Sequence, residues 1–184
     1  MSRLGKYYLK EAVPKLKSEF GIANIHQVPK IEKVIINVGL GKTSGDKRSM
    51  ESATNTLRKI TGQQPIATTA KHSIAGFKLR EGQPIGLKVT LRRGRMYDFL
   101  DRLIGVVAPR MRDFHGLSRG AFDSSANYSI GIPDQSVFPE LSYEDTAFTH
   151  GLQVTIVTST DDLRQSSRLL ELIGLPLERS PARG

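Results

Sequence analysis

The chain has 184 residues, a net charge of +9 at pH 7 and no cysteine. The lack of cysteine excludes disulfide staples, thiolate metal ligands and cysteine nucleophiles. Hydrophobic residues make up 38% of the sequence, which is enough for a packed core. The sequence contains no apolar run long enough to cross a bilayer and no signal-peptide pattern near its start, so we expect a soluble intracellular protein.

Apolar periodicity predicts helices, and β-branched runs predict strands. In the first half of the chain, the predicted elements are a helix at 4–19, a strand at 33–38, a helix at 47–61 and a strand at 65–70. Pro14 predicts a kink in the first helix, and Gly62 predicts the end of the second.

In the second half, the predicted elements are a strand at 85–92, a helix at 95–108, strands at 127–132 and 152–159, and a helix at 161–173. Pro109 is predicted to end the helix before it, and Thr160 or Asp161 is predicted to cap the last helix. The order of elements predicts an α+β fold, an antiparallel sheet with helices packed on one face. We expect a single domain over 1–178 and a flexible tail over 179–184.

Charge is distributed unevenly along the chain. Residues 58–119 carry 13 Lys+Arg and 4 Asp+Glu, whereas residues 120–184 carry 4 and 9. One explanation of the basic block is a solvated surface and nothing more. The other is a polyanionic partner that neutralises the repulsion within the block, and nucleic acid is the commonest such partner.

The predicted sheet has a polar face opposite its core face. Strand alternation turns Lys33 and Asn37 of one strand, and Lys88, Thr90 and Arg92 of another, away from the core. A half-exposed antiparallel sheet is polar outside in any case, so the pattern alone leaves that explanation open. The composition favours RNA, because cations suit phosphates while amides and hydroxyls suit 2′-OH groups and base edges. With no aromatic row on the face, we expect structured RNA rather than base stacking.

The segment GLGKTSG, Gly39–Gly45, resembles a phosphate-binding loop. Such a loop needs a glycine where this chain has Ile36, inside a predicted strand, so the backbone cannot wrap a phosphate there. A nucleotide-hydrolysing enzyme therefore stays as an alternative only, and turnover of ATP or GTP that depends on Lys42 would support it. The four histidines are dispersed without ligand spacing, which argues against a zinc site. We predict no metal, no cofactor, no small-molecule substrate and no catalytic residue.

A long basic loop, KHSIAGFKLREGQP at 71–84, is the second candidate binding element. Its sequence contains one acid, and a solvated loop would not need its apolar residues Ile74 and Phe77. Either these side chains tuck back onto the core, or the loop projects as a finger that contacts RNA and orders on contact.

Ordered sequence blocks along most of the chain resemble a known family. They include KVIINVGLG, ITGQQP, TAKHSIAGFKLREGQPIGLKVTLR, MYDFLDRLI, PRMRDFHGLS, FDSSANYSIGI and QSVFPEL. From about Tyr7 to Pro176 the chain is similar to the bacterial-type 5S-rRNA-binding family of the large ribosomal subunit, the universal family numbered five. The resemblance implies a non-enzymatic protein of the cytoplasmic ribosome, with an organellar ribosome left open. Such a protein helps attach 5S rRNA in the central protuberance and contacts large-subunit rRNA.

The resemblance also implies particular contact residues. The family's 5S-rRNA contacts match Asn37, Gln63, Thr90 and Arg92, to which the strand pattern adds Lys33 and Lys88. The family's loop that reaches peptidyl-site tRNA matches Ala70–Gly82, and its predicted contacts are Lys71, His72, Ser73, Gly76, Lys78 and Arg80. The segment matching Gln135–Thr149 forms an intersubunit bridge to a small-subunit head protein, the family numbered thirteen. Its predicted contacts are Gln135, Phe138, Glu140, Tyr143 and Glu144, and its acids suit a basic protein partner.

The chain departs from the family pattern at several positions. Thr69 and His72 stand where the family usually has cations, Ser124–Ala126 replaces Gly-Arg-Gly, and His115 and His150 replace arginines. These replacements bear on the strength of the tRNA contact and of ribosomal RNA contacts. A basic assembly factor or chaperone-like RNA binder outside the ribosome stays a further alternative.

Overall fold

The computed structural model describes residues 2–41, 47–77, 79–111, 114–146 and 148–178. Its strands are β1 (Ile31–Gly39), β2 (Ile66–Thr69), β3 (Pro84–Leu91), β4 (Tyr128–Ile132) and β5 (Leu152–Thr158). They form one antiparallel sheet in the order β2-β3-β1-β5-β4. The predicted α+β fold is therefore confirmed.

Burial alternates along the strands in the predicted register. The buried side chains are Val34, Ile36 and Val38 in β1, Leu87, Val89 and Leu91 in β3, Tyr128, Ile130 and Ile132 in β4, and Leu152, Val154 and Ile156 in β5. Burying one such side chain contributes roughly 1.5–3 kcal/mol, and a slip of one residue would expose a whole row of them. The register therefore decides which polar residues point outward.

The helices are α1 (Arg3–Tyr7), α2 (Val13–Glu19), α3 (Lys47–Thr61), α4 (Arg93–Arg102), α5 (Ala108–Arg110) and α6 (Leu163–Ile173). Widened π turns, Tyr8–Ala12 and Leu103–Val107, join α1 to α2 and α4 to α5. Pro14 and Pro109 each follow such a turn by two residues. Because proline lacks an N–H and its ring crowds the preceding turn, a widened turn lets the helix continue through it. The prediction that Pro109 ends the helix is therefore wrong, since the helix runs on to Arg110.

The helix ends follow local side-chain and backbone chemistry. Gly62 follows α3 at φ +65°, as predicted for a helix stop. At the start of α6, Asp162 Oδ1 accepts a hydrogen bond of 2.8 Å from the backbone N–H of Arg164, so Asp162 is the cap. The predicted cap at Thr160 or Asp161 is wrong by one or two positions, because the Thr160 hydroxyl instead accepts from the N–H of Asp162 and turns the chain before the helix.

The chain divides into two compact units. The first consists of 1–34, 91–130 and 155–184. Within it, α1 packs against α4 and α2 packs against α6. Two ion pairs join segments that are far apart in sequence, Arg3 with Asp101 at 2.6 Å and Arg168 with Glu19 at 2.7 Å.

The second unit consists of 35–90 and 131–154. It contains α3 and the hairpin of β2 and β3, in which Ile66 pairs with Lys88. The single domain over 1–178 stays a prediction, and the predicted tail at 179–184 lies outside the described residues. None of the helices in the described part of the chain is long and apolar enough to span a membrane.

Candidate nucleic-acid interface

Three predicted contact residues lie on the outward side of adjacent strands in the second unit. Asn37 in β1 and Thr90 in β3 are half-buried, and Lys88 in β3 is exposed. Because β1 and β3 are neighbours in the sheet, an amide, a hydroxyl and an ammonium group are presented together. This combination can bind phosphate, ribose hydroxyls and base edges.

Gln63 is attached to the same surface by its side chain. The left-handed Gly62 ends α3, and the N–H of Gln63 donates to the Thr61 hydroxyl at 3.2 Å. The Gln63 side-chain amide then donates a 3.2 Å hydrogen bond to the backbone carbonyl of Thr90. The strand pattern could not place Gln63, because this residue follows a helix and belongs to no strand.

The first unit has a cluster of arginines that follows β3 in the sequence. Arg92 directly follows β3 and is exposed, with extended backbone, and its side chain does not cap α4. Arg93 and Arg95 in the first turn of α4 are exposed as well. A helix N-terminus is itself partly positive, so this cluster raises the local positive potential. Sequence reasoning singled out only Arg92, although the run RRGR is a signal that could have found the others.

Lys33, the remaining predicted 5S-rRNA contact, is half-buried in β1 and belongs to the first unit. Its place in the strand is the outward one, because its neighbour Val34 is fully buried.

The predicted basic loop is a braced hairpin between β2 and β3. Ile74 and Leu79 exchange two backbone hydrogen bonds of 3.1 and 3.2 Å. The Ser73 hydroxyl accepts a third, of 2.9 Å, from the N–H of Glu81. Phe77 is 74% exposed and Ile74 is 46% exposed, so neither side chain tucks back onto the core. The backbone geometry of the loop is therefore held by hydrogen bonds within the loop.

The loop presents its polar side chains to solvent. Among the predicted tRNA contacts, the exposed residues are Lys71, His72, Ser73, Gly76 and Arg80. Lys78, the sixth, lies outside the described residues. Thr69, where the family usually has a cation, is also exposed.

The connection from β4 to β5 is anchored from inside by two of its predicted bridge residues. Gln135 is 0% exposed. Its side chain donates to the carbonyl of Phe148 at 2.8 Å and accepts from the N–H of His150 at 2.6 Å. Phe138 is buried too. These two residues hold the shape of the connection from inside, whereas Glu144 is exposed.

One acid of this connection is neutralised within the protein. Lys59 on α3 donates to both carboxylate oxygens of Asp145 at 2.7 Å, and Ser142 donates to one of them. These bonds, above all that from Lys59, lower the pKa of Asp145 to about 2. Glu140 is half-buried. Tyr143 lies in the turn Tyr143–Thr146, but its side chain is outside the described residues.

The family departure at Ser124–Ala126 forms a tight turn. Asp123 Oδ1 accepts from the N–H groups of Ser125 and Asn127, at 3.0 and 2.8 Å. The Asn127 amide donates to its other oxygen, and together these bonds lower the pKa of Asp123. Ala126 adopts φ +55° and is buried. The left-handed conformation gives a physical reason for glycine at this place in the family.

The two histidines that replace family arginines lie in different environments. His115 is exposed, whereas His150 is half-buried and its burial lowers its pKa. Over the described ranges, no group of three or more His, Asp or Glu is arranged to hold a metal ion. The glycine-rich segment with Lys42 falls largely on 42–46, which the structure does not describe.

The sequence of the chain matches a known protein family and several known proteins. The model of the ribosomal protein L5 family matches residues 24–80, and the model of that family's C-terminus matches residues 84–177. The "Large ribosomal subunit protein uL5" of Caldanaerobacter subterraneus subsp. tengcongensis is 48% identical over 179 residues, 97% of this chain and 100% of its own length. That of Geotalea daltonii is 50% identical over 176 residues, 96% of this chain and 98% of its own.

The fold and these matches define a ribosomal protein of the large subunit, a structural constituent without enzymatic activity that binds ribosomal RNA. The chain belongs to the ribosomal protein L5 family. Its place is the large subunit of the ribosome. This membership overturns both alternatives, the nucleotide-hydrolysing enzyme and the RNA binder acting outside the ribosome.

Proposed function

We propose that the chain binds 5S rRNA through the outward side of β1 and β3 and helps attach it in the central protuberance. The observation that carries the proposal is the joined polar surface in which Gln63 is bonded to the backbone of Thr90, beside Asn37 and Lys88. Uncharged donors and acceptors among cations suit an RNA surface in which phosphates alternate with ribose and base edges. The net charge of +9 adds long-range attraction.

Binding of the purified full chain to 5S rRNA, titrated with salt, tests the proposal. We expect clear preference over an unrelated structured RNA of equal length. The logarithm of affinity should fall linearly with the logarithm of salt, by about 0.9 for each neutralised phosphate on duplex RNA. Equal affinity for both RNAs would overturn the proposed function.

Single substitutions separate residues that read the RNA from residues that bind phosphate. We expect Asn37→Ala and Thr90→Ala to lower affinity with an unchanged salt slope. Arg92→Ala should lower affinity and reduce the slope by about 0.9. Arg164→Ala, which removes another exposed cation, from α6, is the matched control. The same slope for Thr90→Ala and Arg92→Ala would contradict this division of roles.

We further propose that the β2–β3 loop contacts peptidyl-site tRNA. The braced backbone, the exposed Lys71 and Arg80 and the exposed Phe77 support this, since cations and an aromatic ring on a shaped loop suit an RNA partner. The same cations and aromatic ring would also suit contact with large-subunit ribosomal RNA. The test therefore measures tRNA affinity directly.

The third proposal is an intersubunit bridge formed by the connection from β4 to β5 with the small-subunit head protein of family thirteen. Its support is the exposed Glu144 on a connection that Gln135 and Phe138 hold from inside. A charged side chain at the rim of such a contact acts mainly on the association rate. Subunit association measured with Glu144→Lys should slow, and an unchanged rate would count against the bridge.

A further inference from the structure

A cleft of about 380 Å³ lies within the first unit, between α1, the end of α4 with the π turn that follows it, and the C-terminal end of α6. Most of its lining is apolar. Its aliphatic side chains come from all three elements, and they are Leu4, Ile104, Leu172 and Ile173. None of the described residues proposed to contact RNA lines this α1–α6 cleft, so the proposed function does not explain it.

The two charged residues that line the cleft neutralise each other. The guanidinium of Arg3 donates to both carboxylate oxygens of Asp101, at 2.6 and 3.1 Å. Among the described residues, no further charged side chain lines the cleft. A phosphate would therefore gain little inside it, whereas the aliphatic walls would remove an apolar group from water. The interior of the cleft thus suits an apolar side chain.

Gly105 leaves part of the cleft open. It is exposed in the π turn, it does not adopt a positive φ, and a Cβ atom on it would meet nothing within 4 Å. Glycine inside a helix costs about 0.5–1 kcal/mol relative to alanine. Neither the backbone conformation nor packing within the described part of the chain requires glycine here, so the space beside it is available to another molecule. Tyr7 in the lining and Val106 next to Gly105 are exposed as well, and apolar surface beside a cleft is typical of interaction sites.

The α1 side of the cleft is basic. Four exposed residues at the spacing i, i+3, i+4 and i+7 share one face of α1 and the π turn after it, and they are Arg3, Lys6, Tyr7 and Lys10. Arg3 is paired, but Lys6 and Lys10 form no ion pair with any described residue. On α4, the neighbouring Asp98 and Arg102 are opposite in sign, so the net charge of the rim comes from α1. Lys6 and Lys10 are therefore available to carboxylates of a partner.

Two other occupants fit this surface less well. RNA offers phosphates, riboses and flat bases, but it has no aliphatic group to fill the apolar walls. A second copy of the chain in a two-fold dimer would bring the same face against itself, so Lys6 and Lys10 would meet like charges. The net charge of +9 opposes such self-association further. An acidic partner that supplies an apolar side chain satisfies both the walls and the cations.

We propose that the α1–α6 cleft binds a short acidic segment of another protein. An apolar side chain of that segment lies between the aliphatic walls, in the space beside Gly105, and its carboxylates lie next to Lys6 and Lys10. Ligand pockets measure roughly 300–1,000 Å³, so a cleft of about 380 Å³ accommodates only a short segment. The inference goes beyond the proposed function, because it assigns a protein partner to a surface that the proposed RNA and bridge contacts do not use.

Photocrosslinking in living cells tests the proposal with the full chain in its assembled state. The probe is benzoylphenylalanine, introduced as Tyr7→benzoylphenylalanine, and the crosslinked peptides are sequenced by mass spectrometry. We expect a crosslink to a protein segment in which Asp and Glu outnumber Lys and Arg and which contains a large apolar residue. Leu9→benzoylphenylalanine is the control and should not capture that segment, because Leu9 is also exposed but does not line the cleft.

Binding of a synthetic peptide with the captured sequence then tests the cleft itself. Gly105→Leu fills the open space with a better helix former, so the free energy of unfolding should stay equal or rise. Its affinity for the peptide should fall about tenfold or more, as expected when the seat of a central apolar anchor is lost. Val106→Leu is the matched control, because it enlarges the exposed neighbouring residue outside the lining.

Reversing the two free charges tests the second half of the proposal. The double variant Lys6→Glu and Lys10→Glu should also bind the peptide about tenfold more weakly, and its remaining affinity should depend less on salt. Binding of 5S rRNA should be the same for Gly105→Leu as for wild type, because the cleft does not serve that contact.

Several results would overturn the proposal. They are a crosslink from Tyr7→benzoylphenylalanine only to RNA, only to a second copy of the chain, only to a segment without excess acids, or to nothing. Unchanged peptide affinity in a stably folded Gly105→Leu would overturn it as well. If Gly105→Leu does not fold, unchanged affinity in the double charge reversal has the same consequence.

Discussion

The side-chain amide of Gln63 donates a 3.2 Å hydrogen bond to the backbone carbonyl of Thr90. Both residues are proposed 5S-rRNA contacts, and the bond joins the end of α3 to β3. Gln63 therefore has a structural role in addition to its proposed contact with RNA.

Replacing Gln63 should affect both stability and binding. We expect Gln63→Ala to lower the free energy of unfolding by about 1 kcal/mol, the usual net value of one hydrogen bond, and to weaken 5S-rRNA binding. Thr90→Ala should weaken binding with less effect on this bond, because the acceptor is the backbone. Urea denaturation and RNA titration of both variants give the comparison. Unchanged stability in Gln63→Ala would show that the hydrogen bond contributes nothing to the fold.

The Lys59–Asp145 pair should make stability depend on pH in the acid range. Folding lowers the pKa of Asp145 from 3.8 to about 2, so the folded state favours the ionised carboxylate. Its contribution is fully present above pH 3.8 and is lost as pH falls toward 2. We expect the stability difference between wild type and Asp145→Asn to shrink over that interval, as measured by urea denaturation at several pH values.

Glu144→Gln is the matched control for that experiment, because it removes a negative charge from the neighbouring, exposed position. Its effect on stability should be small. In Lys59→Ala, the NMR titration midpoint of Asp145 should rise from about 2 toward 3.8, and part of the shift should persist through the bonds from Ser142. A midpoint that stays the same in Lys59→Ala would contradict the assignment of the lowered pKa to the Lys59 hydrogen bond.

Arg93 sits in a backbone conformation that favours glycine. Its φ of +54° costs a residue with a Cβ atom about 1 kcal/mol. We expect Arg93→Gly to be more stable than Arg93→Ala by about 1 kcal/mol in urea denaturation, although both remove the same charge. Their RNA affinities should match if the guanidinium alone contributes to binding, and equal stabilities would mean that this conformation is not retained in solution.

The exposed tip of the β2–β3 loop should matter for tRNA and not for the fold. Since Phe77 is 74% exposed, Phe77→Ser should change the free energy of unfolding by less than about 0.5 kcal/mol. In large subunits carrying the variant, the affinity for peptidyl-site tRNA should fall while 5S rRNA stays bound. Leu9→Ser, at an exposed helix position, is the control. Undiminished tRNA affinity in both Phe77→Ser and Lys71→Ala would rule out the loop as a tRNA contact.

The local hydrophobic patterns of the sequence were sufficient to predict most of the helices and strands. The alternation that buries Val34, Ile36 and Val38 also turns Asn37 outward, because side chains along a strand alternate between faces. Pro109 shows the limit of such patterns. Whether a proline ends a helix depends on the turn before it, and the π turn at Leu103–Val107 is a property of the packed helix.

The amino-acid sequence by itself determined the basic charge, the strand register and hence the outward Asn37, Lys88 and Thr90, and it carried the blocks that resemble the L5 family. Only the tertiary structure decided that Gln63 binds the backbone of Thr90 and that Phe77 stays exposed. It also decided that Gly39 of β1 and Gly131 of β4, which are far apart in sequence, line the same open cavity. The physical reason for this division is that the hydrophobic pattern of a sequence indicates only which way a side chain points from its own strand or helix. What lies in front of it depends on segments that are distant in the chain.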